Sequence, residues 1–143
     1  MRLPSLIIAA VAGVATPPPM SGHVTIANAW FRALPANLPA GGYFELHNVA
    51  RWPAVLTGAT SPVCGMLMLH KSERKSGMET MSDVSAVDIP AGGALRFAPG
   101  GYHLMCMDPR PAMKPGASIA VTLKFSDGSV ATAKFAVKNA KGN

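Results

Sequence analysis

The chain has 143 residues, enough for one domain, and a formal charge of +6. Hydrophobic residues make up 49% and charged residues only 14%, which excludes a disordered polar chain. Fourteen glycines, thirteen prolines and few aromatics favour short strands joined by turns, and no Arg/Lys cluster interleaved with aromatics marks a nucleic-acid surface.

The N-terminus reads as an export signal over residues 1–15. Arg2 supplies the positive start, Leu3 to Ala15 the short apolar run, and Gly13-Val14-Ala15 the small residues before a cut near Ala15. The run is too short for a comfortable membrane span, so no stable insertion is expected. No cysteine directly follows the cut, so a lipid anchor is not expected either. The mature protein belongs in an oxidising compartment outside the cytoplasm. There Cys64 and Cys106 could pair, although a buried free thiol at Cys106 is the alternative.

Residues 16–22 read as a flexible leader and 23–138 as one β domain. His23 to Asn28 starts the first strand, and Leu34 to Pro39, with two prolines, is a loop. Gly42 to His47 is a strand and Val55 with Leu56 a short one. Gly65 to His70 alternates, with Met66, Met68 and His70 on one face and Leu67 and Leu69 on the other. The polar KSERKSG stretch reads as a turn, followed by strands at Met78 to Met81, Val84 to Ile89 and Leu95 with Phe97. Tyr102 to Met107 alternates again: Tyr102, Leu104 and Cys106 against His103, Met105 and Met107. Ile119 to Phe125 and Ala131 to Val137 flank the hairpin signal Asp127-Gly128. The tail, 139–143, looks frayed. Seven to nine short strands without a long amphipathic helix predict an all-β antiparallel sandwich with Greek-key connections.

Two strands thus set imidazole and thioether opposite an apolar face, and the His/Met sets are expected to face outward or line a rim. A lone strand methionine is usually core filler, and a lone histidine usually solvated or hydrogen-bonded. Together they suit a soft metal ion. Thioethers select Cu(I), whereas zinc favours Cys, His or carboxylate and calcium or magnesium favour oxygen. Thioethers also survive where thiols oxidise. Only the histidines compete with protons, so binding should weaken as pH falls below about 6.5.

The spacing is His70, ten residues, Met81, twenty-one residues, His103, one residue, Met105. This resembles, without a gap, the H-x10-M-x21-H-x-M signature of the periplasmic PCuAC-type copper chaperones. AWFRALP, GGYFELHN, IPAGG, PGGYHLM and KPG resemble family text too, over about residues 24 to 137. The resemblance implies a cupredoxin-like β-sandwich, a periplasmic location, and one Cu(I) held by His70, Met81, His103 and Met105. It also implies a copper acceptor, cytochrome c oxidase subunit II or a Sco-type thiol protein. No nucleophile–His–acid set, Gly-rich phosphate loop or paired-carboxylate motif points to an enzyme, and a monomer is expected. Met78 and Met107 are extra thioethers that could replace a ligand or catch an incoming ion; Met68 is a weaker candidate. His23 with Met20 makes at best a weak site, and His47 reads as structural. The tail lacks the His/Met-rich extension associated with Cu(II) in some members. Copper buffering and a metal-free secreted interaction domain are the competing readings. A blue-copper carrier is disfavoured because no histidine follows Cys106.

Overall fold

The computed structural model describes residues 19–143. The expected signal peptide, residues 1–15, lies outside the described residues. Ten strands follow in order: β1 (Val24–Arg32), β2 (Ala40–Asn48), β3 (Ala54–Thr60), β4 (Cys64–Lys75), β5 (Met78–Asp83), β6 (Val87–Ile89), β7 (Ala94–Phe97), β8 (Tyr102–Pro109), β9 (Ser118–Phe125) and β10 (Val130–Lys138). Two short 3-10 turns, Met20–Gly22 and Pro35–Asn37, are the helical elements among the described residues, so the all-β expectation holds.

The strands pair in the order β5-β4-β8-β2-β1-β10-β9-β3-β6, with β7 also on β2. The sequential pairs β1–β2, β4–β5 and β9–β10 are neighbours, and the other pairings join strands distant in sequence. One pair departs from the antiparallel expectation: β1 runs parallel to β10. Parallel neighbours need a long connection, and these two strands lie at opposite ends of the domain.

Alternation builds the core. In β2, Ala40, Phe44, Leu46 and Asn48 are buried while His47 is exposed. Facing residues from β8, β9 and β10 complete the interior, including Leu104, Val121, Leu123 and Phe135. Four phenylalanines meet there. Phe44 lies 4.5 Å from Phe97 and 5.7 Å from Phe135, and Phe31 lies 5.3 Å from Phe135. Each such pair contributes about 0.5–1.5 kcal/mol beyond its buried area.

A bulge in β1 decides which residues meet the solvent side. The register with β2 shifts between Ala27 and Trp30, and Asn28 sits at φ 52, a left-handed value that asparagine tolerates. The extra residue reverses the parity, so Phe31 turns into the core and Trp30 and Arg32 turn outward beside Tyr43.

The two cysteines are joined. Cys64 and Cys106 form a disulfide between β4 and β8, which removes the free-thiol alternative. Closing 42 residues stabilises the fold by about 4 kcal/mol in the chain-entropy model.

The KSERKSG turn is a correction. β4 continues through Lys75, and the turn shrinks to Ser76 and Gly77, at φ 51 and 77. Two residues with positive φ make the tight hairpin connection that matches strand twist. The residues before it are polar or charged on both faces, so they show no apolar alternation. The leader's last residues are packed rather than loose: Met20 is buried, and its N–H donates to Asp127 Oδ2 at 2.8 Å. At the other end, Asn139 Oδ1 accepts from the N–H groups of Lys141 and Asn143, which curls the tail.

Candidate metal centre

β4 and β8 are antiparallel neighbours whose register sets like against like. His70 opposes His103, Met68 opposes Met105, and Met66 opposes Met107. Period-two alternation places these three rows on one face. The disulfide and Leu104 anchor the opposite face of β8 in the core. The tight β4–β5 hairpin adds a third strand, with Asp83 opposite His70 and Met81 opposite Ser72.

His103 is the most constrained of these residues. It is only 4% exposed, which corrects the expectation of an outward-facing residue. The β7–β8 turn, with Gly100 at φ 84, sets the Gly101 carbonyl to accept twice. It takes the Ser72 N–H at 3.0 Å and His103 Nδ1 at 3.2 Å. A proton on Nδ1 leaves the lone pair on Nε2, and that atom is buried without a partner. Burial holds the imidazole below the ordinary histidine value. The Gly101 bond opposes this shift, the neighbouring His70 adds to it, and Glu79 opposes it. His103 is therefore neutral at neutral pH, the form a metal ion requires.

The ring of His70 lies edge-on to that of His103, with centroids 5.5 Å apart. Its Nε2 approaches Asp83 Oδ1 to 2.7 Å, yet outside hydrogen-bond geometry, so both ring nitrogens are buried without a hydrogen-bond partner. A buried polar atom left unpaired costs about 1–3 kcal/mol, so His103 Nε2 and His70 Nδ1 carry a standing cost that a ligand can relieve.

Met81, His103 and Met105 line one shallow cleft of about 320 Å³, walled by Tyr43, Arg32 and Pro99. Met81 is 58% exposed at its mouth, and Met105 is half-buried deeper in. His70 stands beside the cleft, across the strand pair from His103. Gly41, directly opposite Met105, leaves room for the Tyr43 ring: a Cβ there would meet the Tyr43 hydroxyl at 2.7 Å. Among the described residues, no group of three His, Cys, Asp or Glu side chains is placed to hold a metal ion. The soft donors of the cleft are the Met81 and Met105 thioethers, and Glu79 also lines it.

The other candidates separate. Met66 and Met107 continue the ladder away from the histidines, with Met68 between. Met78 is 70% exposed at the hairpin end, opposite Lys75. Cys106 faces the core, as its parity predicts, and cannot be a thiolate ligand while bridged. Met20 is core, and the His23 ring packs edge-on against Trp52 at 5.0 Å, so these two form no site. His47 is exposed, 4.0 Å from Glu45. The sequence reading missed Asp83, Tyr43 and Arg32. Asp83 was within reach, because a turn at Ser76-Gly77 sets it opposite His70; the aromatic and cationic wall depends on the β1 bulge.

Residues 24–137 match the family model described as "Putative lipoprotein LpqE-like". The "Putative lipoprotein Lxx21020" of Leifsonia xyli subsp. xyli (strain CTCB07) is 36% identical over 132 residues, which cover 92% of this chain and 79% of that protein. Among solved structures, the copper-bound PCuAC domain from PmoF2 is 25% identical with a TM-score of 0.69, covering 83% of this chain and 95% of its own. The Cu(I) form of DR1885 from Deinococcus radiodurans is 30% identical with a TM-score of 0.65, covering 89% and 83%. The chain belongs to the LpqE-like family, which shares the PCuAC-type copper-chaperone fold and is not a family of enzymes.

Proposed function

We propose that this protein is an extracytoplasmic Cu(I) metallochaperone whose residues His70, Met81, His103 and Met105 hold one Cu(I) ion as cargo. The observation that carries the reading is the neutral, buried His103, whose unpartnered Nε2 shares a cleft with two thioethers. Imidazole and thioether are neutral donors of the kind Cu(I) accepts. They leave its charge uncompensated, which suits transfer rather than permanent storage. The disulfide removes the two thiols that would otherwise outcompete methionine. It also supports a location outside the cytoplasm, as do the apolar N-terminal run and the lipoprotein description of the family. Copper-bound relatives of the same fold support the choice of metal. The acceptor, cytochrome c oxidase subunit II or a Sco-type protein, rests on the resemblance of the spacing to the chaperone signature.

An anaerobic Cu(I) titration against a coloured competing chelator tests the reading. Disulfide-intact protein should withdraw one equivalent, and His103→Ala/Met105→Ala should withdraw none at the same chelator concentration. Equal withdrawal by both proteins would remove this site.

A further inference from the structure

Six of the nine methionines lie on β4, β5 and β8: Met66, Met68, Met78, Met81, Met105 and Met107. The proposed site uses two. Of the others, Met66, Met68 and Met107 are grouped by register rather than scattered. Met66 faces Met107 directly, and Met68 faces Met105 in the next row towards the histidines. Directly opposed side chains have Cβ atoms roughly 4.5–5.5 Å apart, and methionine has three rotatable bonds beyond Cα. Two opposed thioethers and a third one row along can therefore converge on one ion.

Packing does not account for these residues. Met66 is 59% exposed, and Met68 and Met107 are half-buried, on the face opposite the core residues Leu69, Leu104 and Cys106. At an exposed strand position a β-branched or polar side chain serves the fold better than a flexible thioether. What methionine adds there is soft sulfur.

We propose that Met66, Met68 and Met107 form a second, weaker station for Cu(I), adjoining the His/Met site; this extends the reading given under Proposed function. The donors are neutral thioethers, so no proton is released on binding and the ion stays Cu(I). Passage to the inner site is ligand exchange: Met68 lies beside Met105, so one thioether can let go as the next takes hold. Without imidazole the station should bind at least about tenfold more weakly than the inner site and show little pH dependence.

The test is a titration of disulfide-intact protein carrying ¹³C-methyl methionine, first with Ag(I) and then with anaerobic Cu(I), followed by methyl NMR. The first equivalent should move the Met81 and Met105 methyls. The second should move those of Met66, Met68 and Met107. Met66→Leu/Met107→Leu, a volume-conserving change on an exposed face, should abolish the second step and leave the first unchanged. His70→Ala/His103→Ala should weaken the first step and leave the Met66 and Met107 responses. That second variant separates failure of the inner site from failure of this one. The proposal is overturned if the Met66 and Met107 methyls never move, if they move together with Met105 in the first step, or if the second step survives the leucine substitutions.

Discussion

Asn48 and His103, two of the polar side chains buried among the described residues, are treated in opposite ways. Asn48, at the end of β2, is 1% exposed and fully engaged. Its Nδ2 group donates to the carbonyls of Trp52, Ile89 and Pro90 at 2.9–3.3 Å, and its Oδ1 accepts the Ala50 N–H at 3.0 Å. It ties β2 to the β6 end and to the loop before β3. His103, in β8, is almost as buried but has only one nitrogen satisfied, and the facing His70 ring makes no hydrogen bond, with Asp83 Oδ1 2.7 Å from its Nε2. A polar group buried with all its partners specifies structure; one buried without them holds a cost that only a ligand can remove. The contrast distinguishes the knot that holds the fold from the face offered to metal.

The comparison can be broken most severely from its structural side. Cys64→Ala/Cys106→Ala should cost about 4 kcal/mol in urea unfolding, through the freed 42-residue loop. Asn48→Ala should cost about 3 kcal/mol, because three carbonyls and one N–H lose their partner at once. A loss under about 1 kcal/mol would show that water substitutes freely there. Gly42→Ala should cost about 1–3 kcal/mol, since the new Cβ would sit 2.7 Å from the Phe31 ring and 3.1 Å from Leu104 Cβ.

On the metal face the order reverses. His103→Leu should change stability by no more than about 1 kcal/mol, because it removes an unpaired nitrogen while the Gly101 carbonyl keeps the Ser72 N–H. Cu(I) affinity should nonetheless fall by orders of magnitude. A His103→Leu variant as destabilised as Asn48→Ala would erase the distinction. The same residue gives the pH dependence. Its folded value lies below the ordinary histidine value, so the unfolded chain binds more protons between the two. This stability is fully present above about pH 6.5 and is lost as pH falls through the folded value. Urea midpoints of the wild type should therefore drop on acidification more than those of His103→Leu. The smallest effect belongs to Met81→Leu: stability within about 0.5 kcal/mol, since the side chain is 58% exposed, with weaker Cu(I) binding in the chelator assay.

Much of the frame was legible in the sequence because alternation is a local signal. Leu67 and Leu69 against Met66, Met68 and His70, and Leu104 and Cys106 against His103 and Met105, read directly as two-faced strands, and the structure sets them side by side. The burial of His103 was not legible. The cleft that His103 lines is also lined by the Tyr43 ring, which is remote in sequence and is brought near by the pairing of β2 with β8. The length of β4 was hidden for the opposite reason: the distal half carries only polar and charged side chains, so hydrophobicity carried no period. The disulfide could not be chosen over a free thiol from one pair of cysteines, because pairing needs the β4–β8 contact.

The most direct measurement is Cu K-edge X-ray absorption on disulfide-intact protein loaded anaerobically with less than one equivalent of Cu(I), beside His103→Ala and Met81→Leu variants. The account predicts a mixed nitrogen and sulfur shell that loses nitrogen in the first variant and sulfur in the second. A shell that is unchanged in both variants, or that contains only oxygen and nitrogen, would contradict it.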